Sequence, residues 1–220
     1  MLMWGNFWPT IIYGLSMLSS HVAAATLAHT SDFEGGNIDG WLHPISNGNS
    51  NQTSIQIDGP FNNVLLVTSS GASGAGSRLV VPNESAPWTG NYTAAGVTGV
   101  QMDLVNNSGQ LLSMRIGIEG GSSQNRWTSS TPIELAPSER GTFLFQLDSN
   151  SLSSAGGSDL TAALADVTQI RILHNATAGD FRGDLVSGSF TVDNITLVPE
   201  PTSSLMLALG LTTLLMKRNK

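Results

Sequence analysis

The chain contains no cysteine, few aromatic residues and almost no lysine. The absence of cysteine excludes disulfide bonds, thiolate catalysis and cysteine-based zinc sites. Both lysines lie in the last four residues, so the stretch from Thr26 to Leu197 holds six arginines against 15 acidic residues, a net charge of −9. This negative charge repels phosphate backbones and disfavours a nucleic-acid partner, whereas acidic oxygens suit hard cations such as calcium.

The carboxyl end combines three features in a fixed order. These are a Pro-Glu-Pro motif (Pro199, Glu200, Pro201), an apolar run (Leu205 to Met216) and a cationic cluster (Lys217, Arg218, Lys220). Cations after an apolar run halt passage across a membrane, because they stay on the cytoplasmic side. The run spans roughly 18 Å of a hydrocarbon core of about 30 Å, which favours a transient anchor. The alternative is a C-terminal helix packed on a soluble core.

Residues 198–220 resemble the PEP-CTERM sorting signal of Gram-negative, exopolysaccharide-making bacteria. The resemblance implies recognition by exosortase, a membrane protease thought to remove such tails during sorting to the surface. It also implies a passing intermediate in the inner membrane, and a final location at the cell surface or in the extracellular matrix.

Residues 1–25 predict a secretory signal peptide. The stretch Phe7–Leu18 is largely apolar, and Ala23, Ala24 and Ala25 offer small residues for cleavage after Ala25. No lysine or arginine precedes the apolar stretch, which departs from the usual pattern. A buried N-terminal helix is the alternative. An export signal and a stop-transfer tail agree with each other, since both place the body outside the cytoplasm.

The body, residues 26–197, has the size of one domain and the periodicity of β-strands. Apolar residues alternate with polar ones in four segments: Val100 to Leu104, Leu112 to Ile118, Phe143 to Leu147, and Val167 to Ile172. Only Ser158–Asp166 has helical spacing, with Ser158 as the expected N-cap. The pattern predicts an all-β jelly-roll β-sandwich with one short helix, between the signal peptide and a transmembrane sorting helix.

Short motifs in the body resemble the galactose-binding-like jelly rolls of many carbohydrate-binding modules. They are Asp32-Phe33-Glu34-Gly35 and Asp39-Gly40-Trp41 near the start, Val97 to Asp103 in the middle, and Val192-Asp193-Asn194-Ile195 near the end. The resemblance covers about residues 27–197. It implies a structural calcium ion with ligands from the first and last strands.

The last strand changes phase within its own sequence. Phe190 and Val192 share one face, whereas Ile195 and Leu197 belong to the opposite phase. A strand with one buried face absorbs such a slip with a β-bulge, here expected at Asp193-Asn194. If the first and last strands pair, Asp193 and Glu34 become candidate calcium ligands, with carbonyl and water oxygens completing the shell. The alternative is that both carboxylates are solvated or cap turns.

Aromatic side chains are the usual platforms for sugar rings. Trp41 follows Gly40 at a strand start and is expected in the core. Trp88, Tyr92 and Trp127 lie in polar, loop-like surroundings and are the candidates for an exposed glycan-binding face. Packing under a loop is the alternative for each of them.

Catalytic motifs are missing from the sequence. It has no Gly-x-Ser-x-Gly elbow, no His-Glu-x-x-His and no dinucleotide-binding glycine pattern. Glu119 and Glu134 are nominal carboxylates for glycoside hydrolysis without distinctive spacing. His43 and His174 lack metal-partner spacing, and His174 is expected to face solvent. The sequence therefore predicts an exported, non-enzymatic, polysaccharide-binding protein; a structural matrix protein or a glycan-active hydrolase are the alternatives.

Overall fold

The computed structural model describes residues 25, 27, 29–42, 53–60, 62–73 and 76–200. Within them the chain forms twelve β-strands: β1 (Thr30–Ser31), β2 (Thr53–Ile57), β3 (Asn63–Ser70), β4 (Val80–Asn83), β5 (Val97–Asn106), β6 (Leu112–Gly120), β7 (Arg126–Ser129), β8 (Ile133–Leu135), β9 (Arg140–Gln146), β10 (Leu152–Ser154), β11 (Val167–His174) and β12 (Ser187–Pro199). Two helices, α1 (Tyr92–Ala95) and α2 (Leu160–Ala165), and a 3-10 turn (Ala86–Trp88) connect them. The predicted all-β class is confirmed.

The strands form two antiparallel sheets that pack face to face. The first sheet has the order β2-β3-β12-β5-β9, with β1 also paired to β12. The second has the order β10-β7-β6-β11-β4, with β8 also paired to β6. The last strand, β12, therefore lies inside the first sheet, between β5 on one side and β3 followed by β1 on the other.

The core between the sheets follows the predicted alternation. Val100, Met102 and Leu104 of β5 are fully buried, and so are the four alternating apolar residues of β6. Trp41 is fully buried, as predicted. Removing such large apolar side chains from water is the main contribution to the stability of the sandwich.

The helices differ in detail from the prediction. The predicted helix exists as α2, but its N-cap is Asp159 and not Ser158, because the Asp159 carboxylate accepts the Ala162 N–H at 3.0 Å. The four-residue helix α1, capped by Asn91, was not predicted. A helix this short leaves no periodic pattern in the sequence.

The outer face of the second sheet is closed by the segment between β11 and β12. Phe181 of this segment is buried, and an added Cβ on Gly117 of β6 would lie 2.8 Å from its ring. The guanidinium groups of Arg171 and Arg126 lie 4.2 and 5.2 Å from the centre of the same ring. Burial, followed by the charge of Arg126, lowers the pKa of Arg171 to about 10. This face is therefore packed, and the outer face of the first sheet is the more open one.

Candidate functional site: a polar groove on the first sheet

A groove of about 390 Å³ crosses the outer face of the first sheet. It runs over the central strands β12 and β5 and the end strand β9, and it is bordered by the turn between β2 and β3. Its polar lining consists of carboxylates, amides, hydroxyls and one guanidinium group: Asp58, Asn62, Asp103, Arg140, Thr142, Thr191, Asp193 and Asn194. Val64 and Val105 supply apolar surface. Side chains of alternate residues share this face because they alternate along each strand.

The bulge in β12 aims two side chains into the groove. The register with β5 shifts between Asp193 and Thr196, and Asn194 adopts a left-handed backbone conformation with φ of 51°. Phe190 and Val192 before the shift, and Ile195 after it, all remain buried. The predicted bulge at Asp193-Asn194 is confirmed, because one extra residue restores the inward phase of the strand.

Asp193 and Asp103 lie directly opposite each other on neighbouring strands. The amide of Asn194 bridges them, donating to Asp103 Oδ2 at 2.8 Å and to Asp193 Oδ2 at 3.3 Å. Thr142 donates its hydroxyl to the other oxygen of Asp103. Asn62 in the β2–β3 turn donates to Asp193 Oδ2 at 3.3 Å. The floor of the groove is thus a connected network of amides, hydroxyls and carboxylates.

Asp193 is the most perturbed acid of the groove. Only 7% of the surface of Asp193 is exposed. Burial raises the pKa of Asp193, and the negative charges of Asp103 and Glu34 raise it further, against the opposing effect of hydrogen bonds from Asn194 and Asn62. Like charges on directly opposed strand positions are unfavourable. The carboxylate is therefore placed where a hydrogen-bond donor or a cation from outside would stabilise it.

The predicted calcium ligands are close enough to influence each other. Strands β1 and β12 do pair, with Thr30 opposite Thr196, so the condition for bringing Glu34 towards Asp193 is met. Glu34 follows β1, and its carboxylate accepts the Asn63 N–H at 3.3 Å. In this arrangement N–H donors contact one carboxylate oxygen of Glu34 and both carboxylate oxygens of Asp193. Among the described residues, no group of three or more acidic or histidine side chains is arranged to hold a metal ion. Calcium binding stays a prediction.

Two of the three predicted exposed aromatic residues are buried, so this part of the prediction is wrong. Trp88 and Tyr92 have no exposed surface. The 3-10 turn folds the Trp88 ring against Trp41, with ring centres 5.2 Å apart, and the Tyr92 hydroxyl donates to the Trp88 carbonyl at 2.7 Å. Burial raises the pKa of Tyr92. The bridge between Gly90 and Val167 ties this loop to the second sheet, which explains why polar neighbours do not keep the rings exposed.

Trp127 is half-buried and lies apart from the other two. It pairs with Ile118 on the inner face of the second sheet, and its Nε1 donates to Asn125 at 3.1 Å. The structure therefore does not assemble the predicted aromatic face. Within the described ranges, the exposed large hydrophobic residues are all aliphatic: Leu42, Ile57, Leu111, Leu144 and Leu185.

The nominal catalytic residues belong to the second sheet. Glu119 accepts a hydrogen bond from Arg126 Nε at 2.9 Å, and Glu134 accepts one from the Ser113 hydroxyl at 3.1 Å. The prediction that His174 faces solvent is wrong. Its side chain is buried, and its Nδ1 accepts the Ser113 N–H at 2.9 Å. Burial lowers the pKa of His174. His43 lies outside the described residues.

The two ends of the body are partly described. Ala25, the predicted last residue of the signal peptide, packs into the core with 6% of its surface exposed. β12 continues past the predicted boundary at Leu197, pairing Pro199 with Val97, and the Glu200 N–H donates to the Gly96 carbonyl at 2.8 Å. Pro201, the apolar run and the cations Lys217, Arg218 and Lys220 lie outside the described residues. In the described part of the chain, no helix has the length and hydrophobicity needed to cross a membrane.

Sequence reasoning missed most of the groove. The alternation along β5 places Asp103 on an outward face, but nothing local indicates that β9 pairs with β5. Arg140 and Thr142 therefore could not be assigned to the same surface as Asp193. Asn62 was also missed, because a turn residue carries no periodic signal.

The body is similar in fold to solved carbohydrate-binding modules. It matches the solution structure of CtCBM11 with a TM-score of 0.50 and 18% identity, covering 84% of this chain and 99% of that module. An exo-beta-agarase matches with a TM-score of 0.53 and 12% identity over 83% of this chain, which spans about a quarter (25%) of the enzyme's length. A CBM22-2 xylan-binding domain from Paenibacillus barcinonensis matches with a TM-score of 0.44 and 12% identity, covering 77% of this chain and 99% of that domain. No protein-family model and no curated protein matches the chain. At these identities the likeness shows a jelly-roll fold.

Proposed function

We propose that the body is a non-enzymatic carbohydrate-binding module that holds polysaccharide in the groove of the first sheet. The carrying observation is that 84% of this chain matches 99% of a carbohydrate-binding module, so the body has the extent of such a module as a whole. The similarity to the agarase covers only a quarter of that enzyme. An open polar groove across the central strands gives such a module a surface on which to bind a chain of sugars.

The groove recognises hydroxyl groups by hydrogen bonding. Carboxylates such as Asp103 accept from two hydroxyls, amides such as Asn62 both donate and accept, and Arg140 donates only. Val105 offers apolar surface for the ring faces, whereas Val64 at the same groove is almost fully buried. Because the described part of the groove has no aromatic platform, hydrogen bonds contribute more to affinity here than ring stacking. Three carboxylates against one guanidinium disfavour polysaccharides that carry uronate or sulfate groups.

The place of action follows from the two ends of the sequence. We infer export after cleavage behind Ala25, arrest in the inner membrane by the apolar run, and transfer by an exosortase-type protease to the cell surface or matrix. A calcium ion held by Glu34 and Asp193 belongs to the same proposal. Calcium would have to replace the N–H donors that now contact both carboxylates. Removal of calcium is then expected to lower the melting temperature, and an unchanged melting temperature on adding EDTA would contradict it.

The binding proposal is tested by affinity electrophoresis of the protein through gels that contain single polysaccharides. Neutral polysaccharides are expected to retard the wild type, and alginate-like anionic chains are not. The double variant Asp58→Ala, Asn62→Ala removes groove contacts and is expected to weaken binding about 25-fold, at about 1 kcal/mol for each lost hydrogen bond. Each protein is compared with its own mobility in a gel without polysaccharide. Asp166→Ala, after α2 and away from the groove, is the matched control and keeps the wild-type retardation. Wild-type protein that no polysaccharide retards would refute the proposal.

A further inference from the structure

We propose that two copies of this chain pair through β9, joining their first sheets edge to edge. β9 lies at one end of the first sheet and has β5 as its strand partner. It is seven residues long and pairs with β5 without a shift of register. A straight edge of this length presents a regular row of backbone donors and acceptors to a second strand. This inference goes beyond polysaccharide binding and does not depend on it.

The hydrogen bonds to β5 show which backbone groups of β9 are free. The Asn106 N–H donates to the Glu139 carbonyl and the Leu147 N–H donates to the Thr98 carbonyl, both at 2.9 Å. Bonded and non-bonded residues alternate along an antiparallel pair. The odd-numbered residues of β9 therefore bond to β5, and the N–H and C=O groups of Thr142, Leu144 and Gln146 point away from the sheet. Within the described part of the chain, no hydrogen bond from another segment occupies these three N–H groups.

The two end strands of the second sheet, β4 and β10, are better protected against pairing than β9. β4 has four residues and contains Pro82, and β10 has only three residues. Proline and shortness are the usual devices that keep an edge from pairing. β9 has neither of them, and its central side chain, Leu144, is 42% exposed. Open depressions of about 280 and 840 Å³ adjoin Leu144 and Gln146, so these two side chains border open space.

The sequence of the edge is complementary to itself, which identifies a second copy as the occupant. In an antiparallel pair centred on Leu144, each leucine faces its equivalent and Thr142 faces Gln146. Continued two residues past the end of β9, the same register brings Arg140 opposite Asp148, whose carboxylate also accepts the N–H groups of Asn150 and Ser151; both residues are exposed. Opposite charges on facing strand positions stabilise the pair. Every other two-fold register separates these charges, so the complementarity selects one alignment.

The consequence concerns the groove. A two-fold axis perpendicular to the sheet leaves both outer faces on the same side, and Arg140 and Thr142 line the groove as well as belonging to β9. The two grooves therefore meet near the axis on one continuous surface. Two linked sites bind a long polymer more tightly than either alone, because the second contact is intramolecular.

The absence of cysteine makes the test direct. Leu144→Cys introduces the only thiol of the full-length chain, and facing residues of a hydrogen-bonded antiparallel pair have Cα atoms about 5.5 Å apart, within the span of a disulfide. Under mild oxidation in detergent, this variant is expected to form a covalent dimer at least about tenfold faster than Leu111→Cys. Leu111 is more exposed than Leu144, at 54% against 42%, and lies on a loop, so it controls for contacts made by the apolar tail. Equal rates for the two variants would overturn the proposal.

Two experiments test the register: mixing of two cysteine variants and reversal of the charges at the ends of the strand. A Thr142→Cys chain is expected to crosslink with a Gln146→Cys chain faster than either does with itself. In the Leu144→Cys background, Arg140→Glu slows crosslinking by placing like charges together, and adding Asp148→Arg restores it. If Thr142→Cys crosslinks best with itself, or if Leu144→Cys is captured only by other proteins, β9 does not pair with its own copy in this way.

Discussion

Asp193→Asn tests the electrostatics of the groove floor. The substitution removes a buried negative charge that faces Asp103 across the strand pair. The new side-chain oxygen still accepts the Asn194 N–H, which lies 2.8 Å away in the wild type. The two contacts that are lost, from Asn62 and from the Asn194 amide, are long at 3.3 Å each. Relief of a facing like-charge pair contributes up to about 1 kcal/mol, so the variant is expected to be more stable by this amount at pH 7.

The sign of the pH dependence follows from the raised pKa of Asp193. The folded protein binds the proton more readily than the unfolded chain, so the wild type gains relative stability as the pH falls through the raised pKa. The advantage of Asp193→Asn is therefore largest at neutral pH and disappears below the ordinary aspartate pKa of about 3.9.

Thermal melting in EDTA measures this effect without interference from a bound cation. A gain of about 1 kcal/mol corresponds to roughly 2–4 °C in a domain of this size. Asp166→Asn, away from the groove, is the control and leaves the melting temperature unchanged. A variant less stable than the wild type at pH 7, or a gain that persists at pH 3, would refute the reasoning. In calcium the order is expected to reverse if Asp193 is a calcium ligand.

Two further perturbations test the second sheet. Gly117→Ala forces a Cβ to within 2.8 Å of the Phe181 ring and is expected to lower the free energy of unfolding by about 1–3 kcal/mol in urea denaturation, whereas Gly109→Ala, with no atom within 4 Å, leaves it unchanged. Burial lowers the pKa of His174, and the charge of Arg115 lowers it further, whereas Asp184 and Glu134 raise it. The contribution of His174 to stability is therefore lost as the pH falls below about 6.5. His174→Gln, which does not titrate, is expected to show a smaller loss of unfolding free energy between pH 7.5 and 5.5; equal losses would contradict this.

The parts of the fold that the sequence predicted are those with a local physical signal. Val100, Met102 and Leu104 alternate with polar residues, and this alternation alone predicts strand β5. The bulge at Asp193-Asn194 is a stronger case, because the change of phase between Val192 and Ile195 is visible within a few residues. One buried face cannot survive such a slip without an extra residue. The pairing of β1 with β12 entered the sequence analysis only as a condition, because no local pattern indicates it.

The errors share one cause, which is that burial depends on distant segments. Trp88 and Tyr92 have polar sequence neighbours, yet Trp41 and the Gly90–Val167 bridge cover them. His174 lies at a strand end, yet the backbone of Ser113 supplies its partner. No periodicity within a segment reports a contact made across tens of residues. The groove was missed for the same reason, since Asp103, Thr142 and Asp193 meet only through strand order.

The distribution of charge connects the fold to the choice of ligand. On the second sheet, Arg126 pairs with Glu119, and the buried Arg115 donates to the carbonyls of Asn175 and Ser129. These two guanidinium groups therefore bind acceptors within the protein itself. On the first sheet, Asp58, Asp103 and Asp193 face the groove with Arg140 as the cation of its described lining. The described lining of the groove therefore carries three carboxylates against one guanidinium group. A polymer rich in hydroxyl donors relieves that charge, whereas a polymer with its own carboxylates adds to it.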